Sequence, residues 1–119
     1  MEKDLGWNEL AGEMLAHSTV LTEMKDLRDN LEEWMQRESV PTPIVVGLAS
    51  SRIRPEPLGV SLVISAWNYP VYTSLPLVAA SIAAGNCVVL KPSEGASHSS
   101  GALKRLFDNY LNPEFYQCV

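Results

Sequence analysis

Apolar positions in the first third of the chain recur at helical spacing. Leu10, Met14, Leu21, Met24, Leu27, Leu31, Trp34 and Met35 form one stripe, which predicts a single helix over residues 8–38. Asn8 suits its N-cap, and Glu9 and Glu13 suit the positive end of its dipole. Lys25/Asp29, Arg28/Glu32 and Glu33/Arg37 are spaced for i,i+4 pairs on the wet face. Pro41 and Pro43 are placed to end the helix. His17 falls on the stripe, where a packing role outweighs a ligand role. Residues 44–54 are a short apolar run followed by small and basic residues, read as a hairpin or an edge arm.

The pattern then changes. Val60–Ala66 is an apolar, β-branched-rich run of strand length. Trp67-Asn68-Tyr69-Pro70 interrupts it, and Pro70 can open a helix. Residues 73–84 have helical spacing, with Pro76 expected to kink the early turns, and Gly85-Asn86 reads as a left-handed stop. Cys87–Leu90 is a second short strand, followed at once by Lys91-Pro92-Ser93-Glu94. Ser97 or Ser99 can cap a last helix that buries Leu103, Leu106, Phe107, Tyr110 and Leu111 and stops at Asn112-Pro113. Tyr116–Val119 begins a third strand. The order predicts an α/β fold: a partial parallel sheet with right-handed crossovers, preceded by a long N-terminal helix.

Composition and charge narrow the classes. The chain has 119 residues, 46% of them hydrophobic and 19% charged, which fits a folded globular chain rather than a disordered one. Residues 1–40 hold ten acids and four bases, and no basic cluster exists anywhere, which argues against nucleic acid as a partner. Residues 58–90 contain no charged side chain; Pro76, Ser81, Gly85 and Asn86 interrupt the most apolar part, so it reads as buried in protein, not as a membrane segment. Cys87 and Cys118 have no metal-pair or CxxC spacing and read as free thiols of a reducing compartment. The acidic start lacks a signal-peptide pattern, so the expected location is cytoplasmic.

In parallel α/β sheets, ligands bind beyond the carboxyl ends of the strands. Those ends here are Ala66-Trp67-Asn68 and Lys91-Pro92-Ser93-Glu94. Asn68 can donate to a developing oxyanion, or it can simply cap the helix at Pro70. Lys91 and Glu94 can bracket the hydroxyls of a ribose, or they can be a solvated loop pair. No GxGxxG follows the first strand.

Taken together, Glu56-Pro57-Leu58-Gly59-Val60, Ala66-Trp67-Asn68-Tyr69-Pro70, Ile82-Ala83-Ala84-Gly85-Asn86 and Val89-Leu90-Lys91-Pro92-Ser93-Glu94 closely resemble the aldehyde dehydrogenase superfamily in order and spacing. The Asp4-Leu5-Gly6 opening and the tail from Leu106 to Tyr116 look most like its class 3, fatty-aldehyde-type branch. The resemblance implies NAD, or NADP, as cofactor and an aldehyde substrate oxidised to a carboxylic acid. A cysteine thiolate attacks the aldehyde, hydride passes to the nicotinamide, and a glutamate-activated water releases the acid. It implies Asn68 as the oxyanion-hole amide. It implies Ile64 and Trp67 in the cofactor cleft, and Lys91 and Glu94 at the adenosine ribose with Ser93 between them. It divides the chain into an N-terminal helical segment (1–43), a linker or oligomerisation arm (44–57) and part of an NAD(P)-binding domain (58–119). Family members are several times longer, and the nucleophilic cysteine and catalytic glutamate have no counterpart here. The chain is therefore expected to be an internal fragment, inactive alone, whose full-length relative can form a homodimer. The alternatives are a non-catalytic paralogue acting through protein contacts and a small nucleotide-binding module.

Overall fold

The computed structural model describes all 119 residues. A single turn, α1 (Glu2–Leu5), precedes a continuous helical rod made of α2 (Glu9–Gly12), a π-helical segment (Glu13–Ser18) and α3 (Thr19–Trp34). Asn8 caps the rod as predicted, its Oδ1 accepting the Ala11 N–H at 2.8 Å. The π segment carries an extra residue per turn and so shifts the phase of the apolar stripe. As a result Ala16 and Val20 are buried and Met24, Leu27 and Leu31 half-buried, while Leu10, Met14, Leu21, Trp34 and Met35 stay exposed. His17 is also exposed. It pairs with Glu13, four residues earlier, at 2.9 Å, a partner that the stripe argument overlooked. None of the three predicted i,i+4 pairs forms; Arg28 turns instead to Asp29 at 2.7 Å, a solvated contact of little energetic weight.

The rod stops at Trp34, short of the predicted residue 38. Pro41 pushes Val40 into an extended conformation. β1 (Glu38–Val40) then pairs antiparallel with β2 (Ser51–Ile53), around a 3₁₀ turn at Ile44–Val46. The tip of this hairpin is apolar and uncovered.

The rest of the chain is the expected crossover unit. β3 (Val60–Ile64), α4 (Leu75–Ala83), β4 (Cys87–Lys91), α5 (Ser97–Tyr110) and β5 (Tyr116–Cys118) form a parallel sheet of order β3-β4-β5. Pro76 sits in the first turn of α4, where its missing N–H has no helical partner to lose, so it removes no helical hydrogen bond and the expected reason for a kink is absent. Gly85 adopts φ 81° after α4, as its place in a helix stop requires. Beside it, buried Asn86 ties the strand entrances together: Oδ1 accepts the Gly59 N–H at 2.9 Å, and Nδ2 donates to the Ser81 carbonyl at 3.3 Å.

The two faces of the sheet differ. Val63, Val88, Leu90 and Cys118 pack with Val78 of α4 and with Leu103 and Phe107 of α5 into one core. On the other face Val60, Leu62 and Ile64 are 71%, 63% and 67% exposed. The radius of gyration is 18.7 Å, against about 13.5 Å for a compact domain of this length. No helix is long and apolar enough to cross a membrane.

Candidate active site and nucleotide cleft

The strand register delivers the predicted site residues to one edge. Ile64 lies opposite Lys91, and the Ser65 N–H reaches the Lys91 carbonyl at 3.1 Å, so the chains leaving β3 and β4 emerge side by side. Trp67 packs on Gly95 from the neighbouring loop. A methyl group added at Gly95 would come within 3.1 Å of the Trp67 Cβ, a tight contact that Trp67 could accommodate only by shifting. Ile64 and Trp67 are exposed at this edge.

Asn68 does not cap a helix. Its side chain is exposed and bonds to no other residue, and the N-cap position of α4 is Ser74. The Thr73 hydroxyl donates to the Tyr69 carbonyl at 2.9 Å and the Ser74 hydroxyl to that of Pro70 at 2.5 Å, which closes the irregular turn before α4 without help from Asn68. The Asn68 amide is left exposed with both donors free.

Lys91 Nζ and Glu94 Oε2 stand 3.0 Å apart, both exposed. The Glu94 backbone N–H, and after it the Lys91 ammonium, hold the Glu94 carboxyl below the usual glutamate range. Glu94 is thus a charged acceptor beside a charged donor. Ser93 shapes the turn that presents them: its hydroxyl accepts the Gly95 N–H at 3.3 Å and its carbonyl accepts the Ser100 hydroxyl at 2.8 Å. Lys91, Pro92, Glu94, Ser97, Ser100, Gly101 and Lys104 line a cleft of about 720 Å³ that also touches Cys118 and Val119. A ribose offers vicinal hydroxyls that both donate and accept, so this donor–acceptor pair at the mouth of a cleft fits one. A smaller, more apolar groove of about 450 Å³ lies among α3, α4 and Pro55–Pro57, at the opposite end of the strands.

Neither cysteine is placed as a nucleophile. Cys87 opens β4, at the far end of the strand from Lys91. Cys118 is buried in β5, and burial pushes its thiol up, away from the reactive thiolate. No group of three His, Cys, Asp or Glu side chains could hold a metal ion.

Asp4 was missed as a structural centre. The expected cap of α5 was Ser97 or Ser99, but the N-cap residue is Ala96, which has no capping side chain. Asp4 supplies the acceptor from outside: Oδ1 takes the His98 N–H at 3.1 Å and Oδ2 the Ser99 N–H at 2.7 Å. The anion-binding end of α5 is therefore already filled by a carboxylate.

The strand order and crossovers are those of a parallel α/β unit whose polar residues Asn68, Lys91 and Glu94 gather at one sheet edge. The Aldehyde dehydrogenase family profile matches residues 7–119. Aldehyde dehydrogenase family 3 member H1 of Arabidopsis thaliana is 43% identical over all 119 residues, which are 25% of its own length. Aldehyde dehydrogenase family 3 member A2 of Pongo abelii is 43% identical over 99 residues, 82% of this chain and 20% of that protein. Among solved structures, the substrate-bound state of Staphylococcus aureus AldH superposes with a TM-score of 0.93 at 29% identity, covering 99% of this chain and 26% of that one. The NADP⁺ complex of Streptococcus pyogenes succinic semialdehyde dehydrogenase shares the fold at a TM-score of 0.67 and 19% identity, over 82% of this chain and 21% of that one. The chain belongs to the aldehyde dehydrogenase family. It spans about a quarter of the length of the family 3 relative from Arabidopsis.

Proposed function

We propose that this chain is a fragment of an NAD(P)-dependent aldehyde dehydrogenase, an enzyme that oxidises aldehydes to carboxylic acids, and that it carries part of the nucleotide-binding domain. The observation that carries the reading is the unbonded Asn68 amide at the same sheet edge as the Lys91–Glu94 pair. Asn68 donates to the aldehyde oxygen as negative charge grows on it, an interaction stronger in the transition state than in the ground state. Lys91 and Glu94 hold the adenosine ribose, with Ser93 fixing their turn, and Ile64 and Trp67 wall the cofactor cleft. The nicotinamide, when bound, supplies the hydride acceptor. A cytoplasmic enzyme whose full-length form can pair as a homodimer completes the reading, with residues 1–43 as its helical segment, 44–57 as a linker or oligomerisation arm and 58–119 within the NAD(P)-binding domain.

The 119-residue chain alone is expected to turn over no aldehyde, because neither cysteine is positioned to attack. Its rate with NAD should equal that of a Cys87→Ser/Cys118→Ser variant. The positive test is a chimera in which this chain replaces the matching stretch of the Arabidopsis family 3 relative. In that enzyme Asn68→Ala should slow acylation by roughly 10²–10³, about 3–4 kcal/mol, as for other oxyanion donors. Glu94→Gln should weaken NAD binding while leaving single-turnover chemistry at saturating cofactor intact. A normal acylation rate with a lowered melting point in Asn68→Ala would overturn the catalytic role.

A further inference from the structure

The loop bearing Asn68 and the first turn of α5, which follows the turn bearing Glu94, are both held by the first eight residues of the chain. The Asp4 side chain is only 4% exposed. Four donors converge on it: the His98 N–H and ring Nδ1 at 3.1 and 2.9 Å on Oδ1, and the Ser99 N–H and hydroxyl, each at 2.7 Å, on Oδ2. Three residues on, the Trp7 ring meets Tyr69, the residue after Asn68, edge to face with centroids 5.0 Å apart. Gly6 makes the double grip possible. At φ 67° its N–H closes α1 onto the Glu2 carbonyl and turns the chain from Asp4 towards Trp7. A Cβ there would touch nothing, so the demand on Gly6 is conformational, not steric.

Both grips lead directly to the site. Asp4 fixes the first turn of α5 through His98 and Ser99, and the same turn lines the cleft with Ser97, Ser100 and Gly101. The Ser100 hydroxyl then reaches the Ser93 carbonyl, next to Glu94. From Trp7 the path is shorter still, since Tyr69 adjoins Asn68. Trp67 on Gly95 closes the circuit between the two loops. We propose that Met1–Asn8 is a positioning strap, in which Asp4 and Trp7 set the placement of the cofactor-holding loop and the Asn68 loop relative to each other. The functional consequence rests on the reading of the site given above; the strap itself does not. Asp4 and Trp7 touch neither reacting atom and are positioning residues.

The test uses the 119-residue chain at low concentration, with amide hydrogen exchange and NAD binding measured on Asp4→Ala, Asp4→Asn, Trp7→Ala and Trp7→Phe. Asp4→Ala should speed exchange at His98–Gly101 by on the order of tenfold or more, while Val88–Leu90 in β4 keep their rates. Asp4→Asn, which retains one acceptor oxygen, should restore part of the protection. Trp7→Ala should speed exchange over residues 69–75 but not in α5, and Trp7→Phe should restore it. Each alanine variant should weaken NAD binding roughly three- to tenfold, the range for a coupling carried by positioning contacts. Unchanged exchange at both loops would overturn the strap. So would equal acceleration in Val88–Leu90, which would make Asp4 and Trp7 general stabilisers. If the parent chain shows the local exchange pattern but binds no NAD, the strap stands, and the nucleotide reading is decided separately by Glu94→Gln in the chimera.

Discussion

Between Glu9 and Ile53 only Ala16 and Val20 are buried, whereas every other buried residue of the chain lies between Val63 and Cys118. The first region is ordered largely by local rules, namely an Asn8 cap, helical hydrogen bonds and a three-residue hairpin ladder, with α3 laid along α4 as its main long-range contact. The second is ordered by residues far apart in sequence that share a core, Val63 with Leu90 and Phe107 with Cys118. The difference shows that regular backbone structure and a stable hydrophobic core are separate achievements. A helix can satisfy its own backbone with little of its apolar stripe buried; parallel strands need a long crossover connection before they can pair. The same contrast recurs inside the sheet, where the helix-covered face is dry and the face of Val60, Leu62 and Ile64 is open.

The sharpest way to break this comparison is to truncate one apolar side chain in each region. Phe107 is 1% exposed and Leu48, at the hairpin tip, is fully exposed. Phe107→Ala should cost about 3–5 kcal/mol of unfolding free energy. Leu48→Ala should change it by less than about 0.5 kcal/mol. Urea unfolding followed by tryptophan fluorescence checks both. A large loss in Leu48→Ala would mean that the arm is covered in solution and that the two regions are not so different.

The open sheet face gives the next largest effect. Contiguous exposed apolar surface favours association. The parent chain should therefore show a mass above 13.1 kDa in sedimentation as concentration rises. Leu62→Lys should shift that mass back towards the monomer with little change in the urea midpoint, because Leu62 contributes nothing to the core. Val63→Lys, one residue on but pointing into the core, should unfold the unit instead. If both substitutions behaved alike, the two faces would not be distinct.

How much of this could be read from the residues follows the same division. The crossover unit was legible because its hydrophobic period switches from strand to helix and back, and because Gly85 and Asn112-Pro113 mark the stops. Asn68, Lys91 and Glu94 stood out as the first polar groups after runs of apolar residues, and their arrival at one edge follows from parallel pairing alone. The rod was overextended because residues 35–38 continue an acceptable helical pattern; only the pairing of Glu38–Val40 with Ser51–Ile53 removes them from it. The π segment was invisible because no local pattern in Glu13–Ser18 announces the phase shift. Asp4 was invisible for a different reason. Its partners lie 94 and 95 residues away, and Ser97 and Ser99 offered a local cap that the chain does not use.

Acid gives the smallest and most specific probe, since Asp4 joins the N-terminal residues to the crossover unit. The Ser99 hydroxyl, then the backbone N–H groups of Ser99 and His98 and the His98 ring, hold the Asp4 carboxyl well below its usual range, against burial, which pushes the other way. A carboxyl whose folded value is depressed contributes stability above its unfolded value, about 3.9, and loses it only as pH falls towards the folded value. The melting-point gap between the parent chain and Asp4→Ala should therefore stay constant from neutral pH down to about pH 5 and shrink only below about pH 4. Glu13 is also held below its usual range, by its hydrogen bond to His17, but that pair is solvated. Glu13→Gln should therefore leave the melting point almost unchanged at any pH. Should the Asp4 gap close already near pH 5, or Glu13→Gln open a gap as large, the carboxylate that matters would not be the one tying the N-terminal residues to the crossover unit. Differential scanning calorimetry across the pH series, with the Asp4 carboxyl resonance followed by NMR, separates these outcomes.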